Sequence, residues 1–328
     1  PVLGRPNLVV ITDALVERLR LRGRRVVGVT LRQRGQRREL EAGAEVVLSA
    51  GTVNSAQLLL LSGIGPAEAL APHGIELRHA LPGVGRNLQD HPSVPLVRSD
   101  PSATSYALSW RAAPSVALAP WKYLFARRGM LASNAAEAGG FVRSHPGVDR
   151  PDLQLTFMVG LKESARTLPR RHGFVCHVAV QRPATRGTLT LASADPLDKP
   201  VLQPAFLEDR RDVELLVHGL REARRIAAHG PLAELGGAEL GPGPEALDDG
   251  ALEAYVRAHA TTTYHPVGTC KMGPESDAMA VVDPRLRVHG LKGLRVADAS
   301  VMPNIVSGNT AAASMMIGQR AASFILSP

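Results

Sequence analysis

The chain has 328 residues, 45% of them hydrophobic and 21% charged, an ordinary globular composition with enough apolar material for a sizeable core. Two cysteines, Cys176 and Cys270, exclude a disulfide framework and a cysteine-rich zinc module, and no window of about 18 apolar residues reads as a membrane span. The net charge is +8, but all except five of the 38 basic residues are scattered arginines, and the 4% of aromatics do not interleave with the dense runs at 18–25 and 32–38. A stacking platform for nucleic acid is therefore missing. The chain opens at Pro1, with no initiator Met and no leader pattern, and reads as a piece of a longer protein.

Residues 8–12 (LVVIT) and 25–31 (RVVGVTL) have the β-branched content of short strands, with a turn at Arg22-Gly23-Arg24. Residues 44–50 (AEVVLSA) read as a strand buried on both faces. A helix over 52–62 follows, stopped at Gly63. Such a strand–Gly–helix unit turns a helix N-terminus toward an anion. A short helix ends at Gly74, and the turn formers of 81–93 predict a loop. From about 94 to 210 prolines are frequent and strands recur, at 94–98, 153–159, 173–181 and 187–192, which predicts a mainly antiparallel sheet. Apolar residues at helical spacing predict an amphipathic helix over 212–229, stopped by Gly230-Pro231. A short helix at 245–259, a strand at 294–298 and a small-residue helix at 310–326 complete the chain.

Several chemistries are excluded by motif. No G-x-G-x-x-G, P-loop, H-E-x-x-H or G-x-S-x-G is present, and Gly83-Val84-Gly85 lacks both the preceding strand and the third glycine. His265 and Cys270 lie five residues apart, which leaves a cysteine nucleophile as a minor alternative without a matching signature. Asp90-His91 reads as a structural loop pair, because no further ligands stand at metal spacing. His265 follows Thr261-Thr-Thr-Tyr264 and precedes Pro266-Val-Gly268, a rigid turn suited to holding an imidazole as a base. Asn309 precedes the last helix, where asparagine is a preferred N-cap.

Two segments are more specific. GTVNSAQLLLLSGIGP (51–66) and YHPVGTCKMG (264–273), the latter continuing through VADASVMPNIVSGNTAAASMM to Met316, together resemble the glucose–methanol–choline family of flavin-dependent alcohol oxidoreductases, nearest its choline dehydrogenase-like branch. NLQDH (87–91), SNAAEAGGF (133–141) and the RGTLTL run beginning at Arg186 are also similar to that family. The family's N-terminal portion, with its Gly-rich turn for the cofactor pyrophosphate, is not in these residues. The resemblance implies a mixed α/β fold. Residues 1–93 and 255–328 would make a discontinuous FAD domain with a parallel sheet core, and 94–254 a substrate domain on a mainly antiparallel sheet. It implies FAD as cofactor, because no side chain accepts a hydride, a small alcohol as substrate, and an electron acceptor, oxygen or another. It makes His265 the base and Asn309 the donor to the substrate oxygen. Val16, Asp298, Ala299, Asn304 and Thr310 fall at cofactor-contacting positions. Glu137 and Tyr264 are candidate substrate contacts, with Phe157 and Trp110 as wall residues; a carboxylate such as Glu137 attracts a cationic alcohol such as choline, although aromatics for a cage are scarce. A cytoplasmic protein is expected, with membrane association as the alternative. The competing reading is a non-catalytic fragment that keeps the fold but holds no flavin.

Overall fold

The structure is a computed structural model that describes residues 2–161, 170–235 and 237–327. The chain divides into two compact units: Pro1–Asp90, Arg186–Ala205 and His265–Pro328 form the first, His91–Thr185 and Phe206–Tyr264 the second. Both parallel and antiparallel sheets are present, so the architecture is mixed α/β, as expected. Two assignments differ from the sequence reading: 255–264 folds with the second unit, and 186–205 with the first. Leu88 and Gly187 exchange backbone hydrogen bonds there, and Leu189 N donates to Gly85 O at 2.7 Å.

In the first unit the strand expected at 8–12 does not form, and Val9 stands 81% exposed. The first strand is Ala14–Arg22, which pairs with Arg25–Gln33, itself paired with Gln36–Glu41, in an antiparallel sheet. The first and third strands were obscured by their charges. A buried position of the first is Glu17, whose carboxylate accepts from Arg32 Nε at 2.6 Å and Arg37 Nε at 2.8 Å. Val46–Leu48 forms inside the expected 44–50 run and pairs in parallel with Leu294–Val296, but Val47 is exposed, so the strand is not buried on both faces. The Gly51–Leu61 helix follows at once. Leu58, Leu59, Leu60 and Leu61 are all buried, so the last turn of this helix is apolar on every side. Gly63, at φ +78, ends it; a Cβ there would meet Glu76 O at 2.3 Å, so this turn requires glycine. Ala311–Leu326 forms the last helix.

The second unit is built on a six-stranded sheet. Pro92–Ser99 pairs with Gly173–Val180, Glu239–Gly241 and Thr261–Thr262, and the sheet continues through Leu153–Met158 to Ala138–Val142, every pairing antiparallel. The last strand was not foreseen, since Ala-Gly-Gly carries little strand propensity. The Arg210–Ala227 helix starts at Asp209, whose side chain accepts from Arg211 N at 2.9 Å. Its stripe of Val213, Leu216, Leu220 and Ala223 shares one core with Val94, Leu96, Leu153 and Val178 of the sheet. A second helix, Ala113–Ala126, was not foreseen, because Pro114 and Pro120 read as breakers. Pro114 lies in the first turn, where no helical N–H bond is lost. Among the described residues no helix is long and apolar enough to cross a membrane.

Candidate active site

The first unit assembles its site around the turn that begins at His265. The turn is pinned through its backbone. His265 N donates to Asp90 Oδ1 at 3.0 Å, Thr52 Oγ1 donates to Pro266 O at 2.7 Å, and Gln89 and Val267 exchange N–H···O bonds of 3.0 and 2.8 Å. Gly268 sits at φ +95, with Asn87 O only 2.4 Å from where a Cβ would stand. The loop thus packs against the 87–90 stretch at a spacing that excludes a side chain. The Asp90 contact was not anticipated as part of the site; the NLQDH run was its only sequence signal.

Asn309 Nδ2 lies 3.0 Å from His265 Nε2. The capping role weighed for Asn309 is not what the structure shows. Thr310 occupies the N-cap of the Ala311–Leu326 helix, without a side-chain cap bond, and Asn309, placed by Gly308 at φ +78, is directed to the imidazole. The helix therefore opens beside the pair with amides that the Thr310 side chain does not cap, and its first residues are Ala311, Ala312 and Ala313. His265 is half-buried. Burial lowers its pKa below the ordinary 6.5, and the nearby Asp90 carboxylate opposes this, so the neutral imidazole prevails at neutral pH.

The expected cofactor positions are spread over the same unit. Asp298 is buried, and its carboxylate is engaged within the protein: Oδ2 accepts from Gly51 N at 3.0 Å and Ser55 Oγ at 2.6 Å, Oδ1 from Ser300 N at 2.8 Å. It ties the start of the Gly51–Leu61 helix to the end of the Leu294–Val296 strand. Ala299 O accepts from Gly268 N at 3.3 Å, which joins this turn to the His265 loop. Thr310 O accepts from Ser314 N, and Asn304 Oδ1 from Arg186 Nη2 at 3.1 Å. Val16 is half-buried and lines a cleft of about 380 Å³ with Leu15, Asn54, Gln57, Leu58 and Pro196. The candidate substrate residues lie in the second unit. Glu137 is exposed; hydrogen bonds from Ser133 and Tyr106 lower its pKa, the Tyr106 hydroxyl donating at 2.9 Å. Tyr264 is 80% exposed, its N–H donating to Thr262 Oγ1 at 2.7 Å. Of the wall candidates, Phe157 packs against Phe174 with ring centroids 5.1 Å apart, and Trp110 is 86% exposed.

The cysteine alternative finds no support in the chemistry of either thiol. Burial pushes Cys270 up to about 12 and Cys176 up to about 11, so both are protonated and poorly nucleophilic at neutral pH. Among the described residues no group of three or more His, Cys, Asp or Glu is arranged to hold a metal ion.

Models of the GMC oxidoreductase family match residues 1–93 and 183–318. The chain belongs to the GMC oxidoreductase family. It is 41% identical over 328 residues to an alcohol dehydrogenase (acceptor) of Pseudomonas putida, covering 99% of this chain and 59% of that protein. It is also 41% identical to the mitochondrial choline dehydrogenase of Homo sapiens, covering 99% and 55%. Among solved structures it is similar to a formate oxidase of Aspergillus oryzae, with a TM-score of 0.87 and 27% identity, covering 99% of this chain and 62% of that one. A pyridoxine 4-oxidase matches with a TM-score of 0.82 and 28% identity, covering 98% and 59%. The GMC chain thus spans a little over half the length of these relatives.

Proposed function

We propose that this chain is the larger part of an FAD-dependent oxidoreductase that oxidises a primary alcohol, choline-like or aliphatic. The observation that carries the reading is the 3.0 Å approach of Asn309 Nδ2 to His265 Nε2 at the mouth of an uncapped helix N-terminus. That helix start also fits a flavin. Its first-turn amides, which the Thr310 side chain does not cap, and its positive dipole end favour negative charge, and alanine methyls leave a flat ring room to approach. The first unit would hold the cofactor, through Val16, Asp298, Ala299, Asn304 and Thr310. The second would meet the substrate, through Glu137 and Tyr264.

An alcohol oxygen that enters beside the pair and replaces the direct Asn309–His265 contact accepts a hydrogen bond from Asn309 Nδ2 and presents its own proton to His265 Nε2. His265, held neutral by burial, takes that proton as a general base. Asn309 stabilises the charge that then grows on the oxygen, with a donor already in place. Asp90 and Thr52 fix the backbone of the loop, so the imidazole needs little reorganisation. The bound flavin supplies the hydride acceptor that no side chain provides.

The test is the visible absorption spectrum of the purified chain before and after adding FAD. Flavin bands bleached anaerobically by short alcohols or choline support the proposal and begin the substrate list. Failure to retain FAD under either condition favours the second reading, a GMC fold without its own flavin.

A further inference from the structure

The Ala113–Ala126 helix has one charged side chain, Lys122, in 14 residues. That is the composition of a helix buried all round, yet Ala119 is its only buried residue. Its orientation is inverted. The sides turned inward are Ala119 and the half-buried Val116, whereas Leu118, Trp121 and Phe125, spaced i, i+3 and i+7, form a stripe 52, 59 and 81% exposed. Trp121 and Phe125 stack with ring centroids 5.9 Å apart, so they act as one apolar plate. Leu124 and Leu131 beside them are 60 and 54% exposed, and Trp110, just before the helix, is 86% exposed. The chain has two tryptophans, and both are here.

The charges around this plate have one sign. Between Asp100 and Glu137 there is no acidic residue, and the charged side chains are Arg111, Lys122, Arg127 and Arg128. In a chain with 30 acidic residues, such a stretch selects an anionic partner. Exposed Trp and Phe beside Arg and Lys suit a membrane–water interface, where the rings sit at headgroup depth and the cations meet lipid phosphates. At about 1.5 Å per residue the helix is about 21 Å long, short of the roughly 30 Å of a hydrocarbon core, so it lies in the interface and does not span. We propose that the 108–131 segment docks this protein on an anionic lipid surface, with Leu118, Trp121, Leu124 and Phe125 immersed and Arg111, Lys122, Arg127 and Arg128 at the phosphates.

The test is flotation of the full chain with vesicles of phosphatidylcholine alone and of equal parts phosphatidylcholine and phosphatidylglycerol, read together with tryptophan emission. Because Trp110 and Trp121 are the chain's whole tryptophan complement, emission reports this segment alone. The expected result is flotation with the anionic vesicles, weakened by salt, with blue-shifted emission quenched by brominated acyl chains. Trp121→Ser with Phe125→Ser should lower binding about tenfold or more, whereas Val9→Ser with Val10→Ser, exposed apolar residues of the other unit, should leave it unchanged. Three results overturn the proposal: no flotation with either vesicle, flotation with unshifted emission, or loss of binding through the Val9 and Val10 pair instead. A concentration-dependent dimer abolished by Trp121→Ser, without vesicle binding, would assign the face to a second copy. Both serine positions are exposed; should their variant unfold nonetheless, the wild-type emission and quenching decide.

Discussion

Asn309 Nδ2 stands 3.0 Å from His265 Nε2, although 44 residues separate them in sequence. The His265 loop is held by the 87–90 stretch and Thr52, Asn309 by the start of the last helix. If the pair works as proposed, Asn309→Ala should slow anaerobic flavin reduction roughly 10²-fold while flavin stays bound. Asn309→His, which restores a donor, should recover part of the rate. Stopped-flow absorbance checks both; an unchanged rate in the alanine variant would leave Asn309 no chemical role.

The pH dependence follows from the direction of the His265 shift. Its pKa is held below 6.5, and only the neutral ring accepts a proton, so the reduction rate should rise with pH through that lowered value and level off by neutrality. Asp90→Asn keeps a side-chain oxygen for the His265 N–H but removes the anion that favours the imidazolium. The acid limb should therefore move to lower pH. Stability follows the same sign. The unfolded chain takes up this proton near 6.5 and the folded chain only below that, so the His265 contribution is lost as pH falls beneath 6.5. A rate profile of both proteins, with ring-nitrogen NMR titration of the histidine signal absent from His265→Ala, measures the shift.

Two glycines separate packing from propensity. Gly219→Ala gains up to about 1 kcal/mol in helix propensity. It also places a methyl 2.3 Å from Val178 Cγ1, an overpacking that costs about 1–3 kcal/mol, so net destabilisation is expected. In the last helix a Cβ on Gly318 meets nothing within 4 Å, and Gly318→Ala should stabilise by up to about 1 kcal/mol. Urea denaturation of the two variants should move in opposite directions.

Thiol reagents should be without effect. With Cys176 and Cys270 pushed up to about 11 and 12, iodoacetamide at neutral pH should label neither in the folded chain, and the flavin-reduction rate should survive treatment. Mass spectrometry counts the adducts. Loss of the rate on alkylation of Cys270 would revive the cysteine alternative.

What was legible in the sequence depended on what each signal encodes. The Val46–Leu48 strand and Gly51–Leu61 helix were readable because a short β-branched run and a run of four leucines are punctuated by Gly51 and Gly63. The Arg210–Ala227 helix was readable from its stripe. The Ala14–Arg22 strand was not, because a buried glutamate looks exposed until Arg32 and Arg37 arrive from elsewhere in the sheet. The Ala113–Ala126 helix was hidden by prolines whose cost depends on their place in the helix. At the site, His265 and Asn309 were chosen from residue chemistry and the family resemblance, and their contact is long-range and needed the fold. Asp90 was read as a plain loop residue, because nothing local announces that its carboxylate will meet the N–H of residue 265.

The proposed chemistry has His265 take the proton of an alcohol while a bound flavin is reduced. Its most direct measurement is anaerobic bleaching of the flavin-loaded protein by alcohol, wild type against His265→Ala, with flavin content matched by absorbance. Bleaching is expected in the wild type, with a loss of roughly 10²–10⁴ in its rate in the variant and flavin retained in both. Equal rates, or a loaded wild type that no alcohol bleaches, would contradict it.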